Sequence, residues 1–353
     1  MSALRWELAD QPRTQGSLFG EPVFEREPGR GEYRGMEFLH VRSHRIINEV
    51  KNAPFGFRWT INAYRGCSHA CTYCFARPTH TYLDLDADRD FERRIVVKVN
   101  AVSLLRAELD PRRWRGELIA MGTNTDPYQR AEGKYRLTRG ILEVLVERAN
   151  PFSILTKSTL VLRDLPLLAA AARHSDVRVN LSIGTLDEAV WKATEPGTPH
   201  PLRRIKAVEK LNAAGVPCGV LIGPVLPGLS DAPEQLEAVV DACVAAGARS
   251  ISAVMLHLRP GVREVFLPRL AGTHPHLVAD YEKRYRNRVN LPGADQAALA
   301  AQVRELVRAR GGVAAERDDP RHLTGRAAES EAEVRVGERH RVAGVEWDQL
   351  SLL

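Results

Sequence analysis

Long apolar runs are absent from this 353-residue chain. None approaches the roughly 18 consecutive apolar residues that a membrane-spanning helix needs. The opening stretch from Met1 to Asp10 lacks the apolar core of a secretory signal. A cytoplasmic protein without membrane association is therefore expected. Cysteine is scarce: five thiols in a chain this long are too few for a disulfide scaffold. In a reducing compartment, clustered thiols more often bind metal or do chemistry, so their positions matter more than their number. Lysine is scarce as well, with eight among 50 basic residues. The excess of 50 basic over 44 acidic residues is spread along the chain and argues only weakly for an acidic partner. What remains is an ordinary globular composition, 44% hydrophobic and 27% charged, which excludes a chain disordered throughout. The length fits one large domain or two ordinary ones.

Residues 11–36 are rich in Gly, Pro, Arg and Glu without apolar period and read as mostly irregular, with folding expected to begin near residue 38. From Trp59 onward, short apolar runs alternate with longer amphipathic stretches. Strands are predicted at 60–64, 118–122, 152–156, 177–183, 219–222 and 250–255, and helices at 138–149, 160–173, 201–214 and 232–246. Asp164, Asp187 and Asp231 stand near helix starts, and Gly215 and Gly247 follow helix ends as caps would. This is the spacing of an α/β barrel or a doubly wound sheet, in which functional groups gather at the carboxyl ends of the strands. Beyond residue 260 the alternation stops. Two further helices are predicted at 276–288 and 294–310, and 313–346 is charged and weakly apolar, as a flexible tail would be. The chain divides into an N-terminal extension (1–44), a barrel (45–265), a helical segment (266–312) and a tail (313–353).

Cys67, Cys71 and Cys74 fall within eight residues, in the order CxxxCxxC, just after the first predicted strand. One loop of that length can wrap three corners of a metal centre. A zinc site would need a fourth ligand from His69, His80 or a distant group. A 4Fe-4S cluster can instead be held by three cysteines, leaving one iron open to a small molecule. Cys218 and Cys243 lie on a strand start and an apolar helix face and read as packing groups.

The CxxxCxxC spacing, with aromatic Tyr73 before the last cysteine, resembles the signature of the radical SAM superfamily. The segments 121–129, 137–145, 156–158, 182–187, 195–196 and 224–231 are similar to those of its spore photoproduct lyase-like branch, often labelled DNA repair photolyases, over residues 45–265. The resemblance implies an α/β partial (βα)6 barrel, a 4Fe-4S cluster on Cys67, Cys71 and Cys74, and S-adenosylmethionine (SAM) bound at the open iron. One-electron reduction then yields methionine and a 5′-deoxyadenosyl radical that removes hydrogen from a substrate, with the electron supplied by a flavodoxin- or ferredoxin-type donor. Residue by residue, it implies Tyr73 near the adenine, Thr125 and Lys157 at the methionyl carboxylate, and Ser182 near the ribose. Asp126 and Glu195 are left as substrate or structural groups. Where spore photoproduct lyase has a cysteine that returns hydrogen to the substrate radical, this chain has Thr123, and a hydroxyl donates hydrogen poorly. Tyr128 or Cys218 would have to substitute.

Arg112, Arg113 and Arg115 surround Trp114, and Lys283, Arg284, Arg286 and Arg288 surround Tyr285, an interleaving suited to a nucleic-acid backbone and a stacked base. The C-terminal Gln349, Leu350, Leu352 and Leu353, and more loosely 15–19, resemble the peptide by which bacterial DNA-repair proteins dock on the sliding clamp. The expected function is therefore a radical SAM enzyme on an undetermined substrate, with nucleic acid favoured. The alternatives are a zinc-stabilised nucleic-acid binding protein and a radical SAM enzyme acting on a protein or peptide.

Overall fold

The computed structural model describes residues 25–50 and 57–315. Eleven strands among them build two sheets: β1 (Glu25–Pro28), β2 (Glu37–Val41), β3 (Ile47–Glu49), β4 (Trp59–Ile61), β5 (Tyr64–Arg65), β6 (Arg94–Lys98), β7 (Ile119–Met121), β8 (Phe152–Thr156), β9 (Val177–Ser182), β10 (Cys218–Val225) and β11 (Ile251–Met255). The larger sheet runs β11-β10-β9-β8-β7-β4-β3. Every pairing from β4 to β11 is parallel, and β3 lies antiparallel on β4. This is the α/β partial barrel of six parallel strands that the sequence implied.

The helices Leu137–Glu147, Leu165–Ala172, Pro201–Ala213 and Pro233–Ala245 cover its outer face. Leu137, Ile141 and Leu145 recur at the four-residue spacing that aligns side chains on one helix face. All three sit in the main core with Phe152, Ile154, Val179 and Val220 from the strands. Each fully buried Leu, Ile, Val or Phe contributes about 1.5–3 kcal/mol relative to exposure, so this layer is the chief stabilising contact. The stretch predicted as a helix from residue 160 opens instead as a 3-10 turn, Thr159–Asp164, because Pro166 sits in the first turn of the α-helix and starts it late. Of the three aspartates read as caps, Asp187 accepts from Val190 N, whereas Asp164 is buried in ion pairs and Asp231 closes a loop onto Gly228 N.

Two readings are corrected. The strand predicted at 60–64 divides at Asn62, whose side-chain Oδ1 accepts from Asn124 N. Only β4 stays in the barrel, and β5 turns to pair with β6. Part of the stretch expected to be irregular is also ordered: β1 lies within it and pairs with β2, which begins where folding was expected, in a second sheet, β1-β2-β6-β5. Alternation in β2 explains it, since Phe38 faces the main core while Leu39 and Val41 bury with Leu83, Leu85 and Val96 on the other side.

The C-terminal helices Val278–Arg284 and Gly293–Ala309 lie where two were predicted. The chain then returns to the sheet, with Ile251 N donating to Val313 O and Ala315 N to Ile251 O at 3.0 and 2.9 Å. The docking-peptide residues Gln349, Leu350, Leu352 and Leu353, and 15–19, lie outside the described residues. Tyr285 is fully buried with its hydroxyl on Leu256 O, so the second arginine-aromatic cluster offers no stacking ring. Trp114 donates to Asn150 and packs edge-on against Trp59. No helix among the described residues is long and apolar enough to cross a membrane.

Candidate cofactor and metal site

The thiol loop leaves β5 at Gly66, whose φ of +82° suits glycine, and whose Cβ would lie 2.8 Å from the His80 ring. Cys67 N donates to Phe91 O, Ala70 N to Cys67 O and Cys74 N to Cys71 O, so two tight turns carry the three cysteines. Cys67 and Cys71 are buried and Cys74 is partly exposed, and all three are free thiols. Burial pushes all three thiols up. The Glu195 charge acts in the same direction on Cys71, and Lys157 acts against it.

The loop is clamped from two sides. Gln129, fully buried, accepts from Ser68 N and donates to Gly66 O and to Thr125 Oγ1. Thr125 Oγ1 itself donates to Gly66 O at 2.7 Å. Opposite, Thr72 N donates to Thr194 O and Gly197 N to His69 O. A Cβ on Gly197 would fall 2.2 Å from Ser68 O, an approach that only glycine allows.

Lys157 stands at the carboxyl end of β8. Its ammonium donates to Ser182 Oγ at 2.5 Å and Gly223 O at 3.2 Å, lies 3.5 Å from Glu195 Oε1, and sits 5.6 Å above the Tyr73 ring. The Tyr73 hydroxyl donates to Glu195 Oε1. Glu195 Oε2 takes Arg204 Nη2 at 2.5 Å. Burial alone would raise the Glu195 carboxyl, but the charges of Arg204 and Lys157 hold it down to about 2. Asp126, below the loop, accepts from Tyr128 N, Thr156 Oγ1 and Lys157 N, with His69 Nδ1 3.3 Å away. It ties the ends of β7 and β8 together beneath Cys67, whose thiol its charge also raises.

Tyr73 and Lys157 therefore meet at the Glu195 carboxylate, Ser182 joins them through the Lys157 ammonium, and Thr125 lies at the foot of the thiol loop. Thr123 accepts from the Asn62 amide. The two substitutes for a donor thiol are not brought there: Tyr128 is buried on Asp164, and Cys218 lies at the amino end of β10, the end opposite the loop. Cys218 and Cys243 are both fully buried in the core, the packing role expected of them. Sequence reasoning missed Arg204 and Gln129. Gln129 ends the motif that contains Thr125, so its position was marked but its role was not; Arg204 sits in a predicted helix with nothing in its spacing to single it out.

Fold and site together define a class: a parallel partial barrel with three thiols on one loop and a partly buried cation among hydroxyls at its mouth. The profile of the radical SAM superfamily matches residues 61–243. The chain is 45% identical over 277 residues to the uncharacterized protein Rv2578c of Mycobacterium tuberculosis, covering 78% of this chain and 82% of the relative. It is 33% identical over 196 residues to the uncharacterized protein MJ0683 of Methanocaldococcus jannaschii, covering 56% of this chain and 70% of the relative. Among solved structures it is similar in fold to spore photoproduct lyase complexed with dinucleoside spore photoproduct, with a TM-score of 0.58 at 17% identity, covering 78% and 81% of the two chains. The chain belongs to the radical SAM superfamily.

The residues fit the cofactors that this family implies. Three thiols on one loop are the donor set of a 4Fe-4S cluster with an open iron. Among the described residues no three or more Cys, His, Asp or Glu side chains converge to hold a single metal ion. Of the two histidines named as a fourth zinc ligand, His69 sets Nδ1 3.3 Å from Asp126 and His80 bonds Arg94 O through Nε2.

Proposed function

We propose that the protein holds a 4Fe-4S cluster on Cys67, Cys71 and Cys74, binds SAM beside it, and abstracts hydrogen from a nucleic-acid substrate. When bound, the cluster supplies the electron that cleaves SAM to methionine and a 5′-deoxyadenosyl radical. The observation that carries this reading is the convergence of Lys157, Ser182 and Tyr73 at the strand ends beside Cys71. Lys157 offers a charge-assisted contact for the methionyl carboxylate, Ser182 a hydroxyl for the ribose, and the Tyr73 ring a face for the adenine. Thr125, bonded to Gly66 O and Gln129, keeps an oxygen near the loop where the carboxylate would lie. Burial of these groups excludes water from the site of a reactive radical.

Nucleic acid is favoured as substrate by the net charge of +6 and by the fold shared with a lyase that binds a dinucleoside photoproduct. The chemistry differs from thiol-mediated hydrogen return. Of the chain's five cysteines, three are the cluster ligands and the other two are buried in the core. A flavodoxin- or ferredoxin-type electron donor and a sliding clamp docked on Gln349, Leu350, Leu352 and Leu353 belong to the same proposal.

Anaerobically reconstituted protein with dithionite and SAM is expected to form 5′-deoxyadenosine, and Cys71→Ala to lose at least 100-fold of that activity, about 2.7 kcal/mol of barrel-mouth chemistry. Protein that takes up no iron and sulfide, or a Cys71→Ala variant as active as wild type, sinks the reading. Deuterium transferred into 5′-deoxyadenosine from labelled oligonucleotides, but not from labelled peptides, identifies the substrate class.

A further inference from the structure

Arg204 is fully buried, and the bonds of its guanidinium run in several directions. Nε donates to Pro199 O at 2.8 Å, Nη1 to Ser182 O at 3.0 Å, and Nη2 to Glu195 Oε2 and Thr198 Oγ1, both at 2.5 Å. It thereby ties the carboxyl end of β9 to the segment that clamps the thiol loop. Glu195 is shared in the same way. One oxygen is committed to Arg204, while the other receives the Tyr73 hydroxyl and faces the Lys157 ammonium at 3.5 Å.

The charge count at this point is two cations and one anion. Arg204 is fixed by backbone carbonyls and by Glu195, so the uncancelled charge resides on Lys157. That ammonium is only partly buried, and its other partners, Ser182 Oγ and Gly223 O, are neutral. Glu195 therefore restrains the lysine without neutralising the site. The geometry points to Glu195, backed by Arg204, as the positioning residue for Lys157, aiming one net positive charge at an anionic ligand group in the barrel mouth. This rests on the reading above, in which that group is the SAM carboxylate.

The test is a double-mutant cycle on SAM affinity of the cluster-loaded protein, measured by equilibrium dialysis and by the change SAM makes to the electron paramagnetic resonance signal of the reduced cluster. Glu195→Gln, of equal size, is expected to take up iron as wild type does and to bind SAM about tenfold more weakly. Lys157→Ala is expected to weaken binding at least as much. The combined variant should match Lys157→Ala alone, since Glu195 acts through the lysine. Losses that multiply in the combined variant, unchanged or tighter binding by Glu195→Gln, or an effect confined to stability and iron content would each overturn the proposal. Glu195→Asp keeps a carboxylate for Arg204 while shortening its reach to Lys157, and serves the same cycle where the amide variant does not fold. Wild-type protein that loads a cluster but binds no SAM would instead overturn the functional reading itself.

Discussion

His80 shows how a single residue can carry a pH dependence unrelated to chemistry. It is fully buried, with Nε2 on Arg94 O and its ring edge-on to Phe91. Burial lowers its pKa to about 4 from an ordinary 6.5, so the folded protein keeps the neutral form. The unfolded chain binds the proton first, so this contribution to stability is complete above 6.5 and is lost as pH falls toward 4. Between pH 7 and 5, metal-free wild type should lose about 2 kcal/mol more than His80→Gln, which keeps a donor but does not titrate. Chemical denaturation at the two pH values measures the difference, and equal losses would remove His80 as the cause. Residues such as this were not legible in the sequence. A lone histidine near a thiol motif gives no sign in the sequence of what it bonds, and the structure sets His69 against Asp126 and His80 on Arg94 O. Cys67, Cys71 and Cys74 were legible because their spacing is itself the signal.

At the scale of elements, the barrel strands announced themselves by apolar runs, and 152–156 agrees with β8 residue for residue. The second sheet did not, because β1, with the sequence Glu-Arg-Glu-Pro, has no apolar pattern to count and is held by pairing with β2 and by Glu27 on Lys134 and the Tyr135 hydroxyl. The clamp formed by residues 194–204 was marked in the sequence at Glu195 and Pro196, but its contact with the thiol loop was not. Its bonds to the loop run mostly through backbone at Thr194 and Gly197, which leaves no periodic trace. That clamp makes a local prediction. Gly197→Ala places a methyl against Ser68 O and should force the loop away, reducing iron uptake and lowering stability by about 1–3 kcal/mol, while helices and strands remain. Iron content beside a circular dichroism melt checks this; normal iron uptake would show that the loop needs no such contact.

At the scale of the whole molecule, the two ends of the barrel do different work. Lys157 and Ser182 stand at the carboxyl ends of their strands, and Cys218 is sealed at the other end. Cys218→Ala should therefore cost about 1–2 kcal/mol in stability through lost packing and leave SAM cleavage per cluster unchanged. A fall in cleavage without loss of cluster would instead return this thiol to the reaction. The described sheet also ends on both sides in the chain's own backbone. β3 lies along β4 at one side, and residues 313–315 lie along the start of β11 at the other. Exposed ladder edges recruit strands from neighbouring molecules and seed aggregation. Residues 313–315 occupy the start of the β11 edge, so a chain cut before residue 313 should sediment as larger species than the full-length protein at equal concentration.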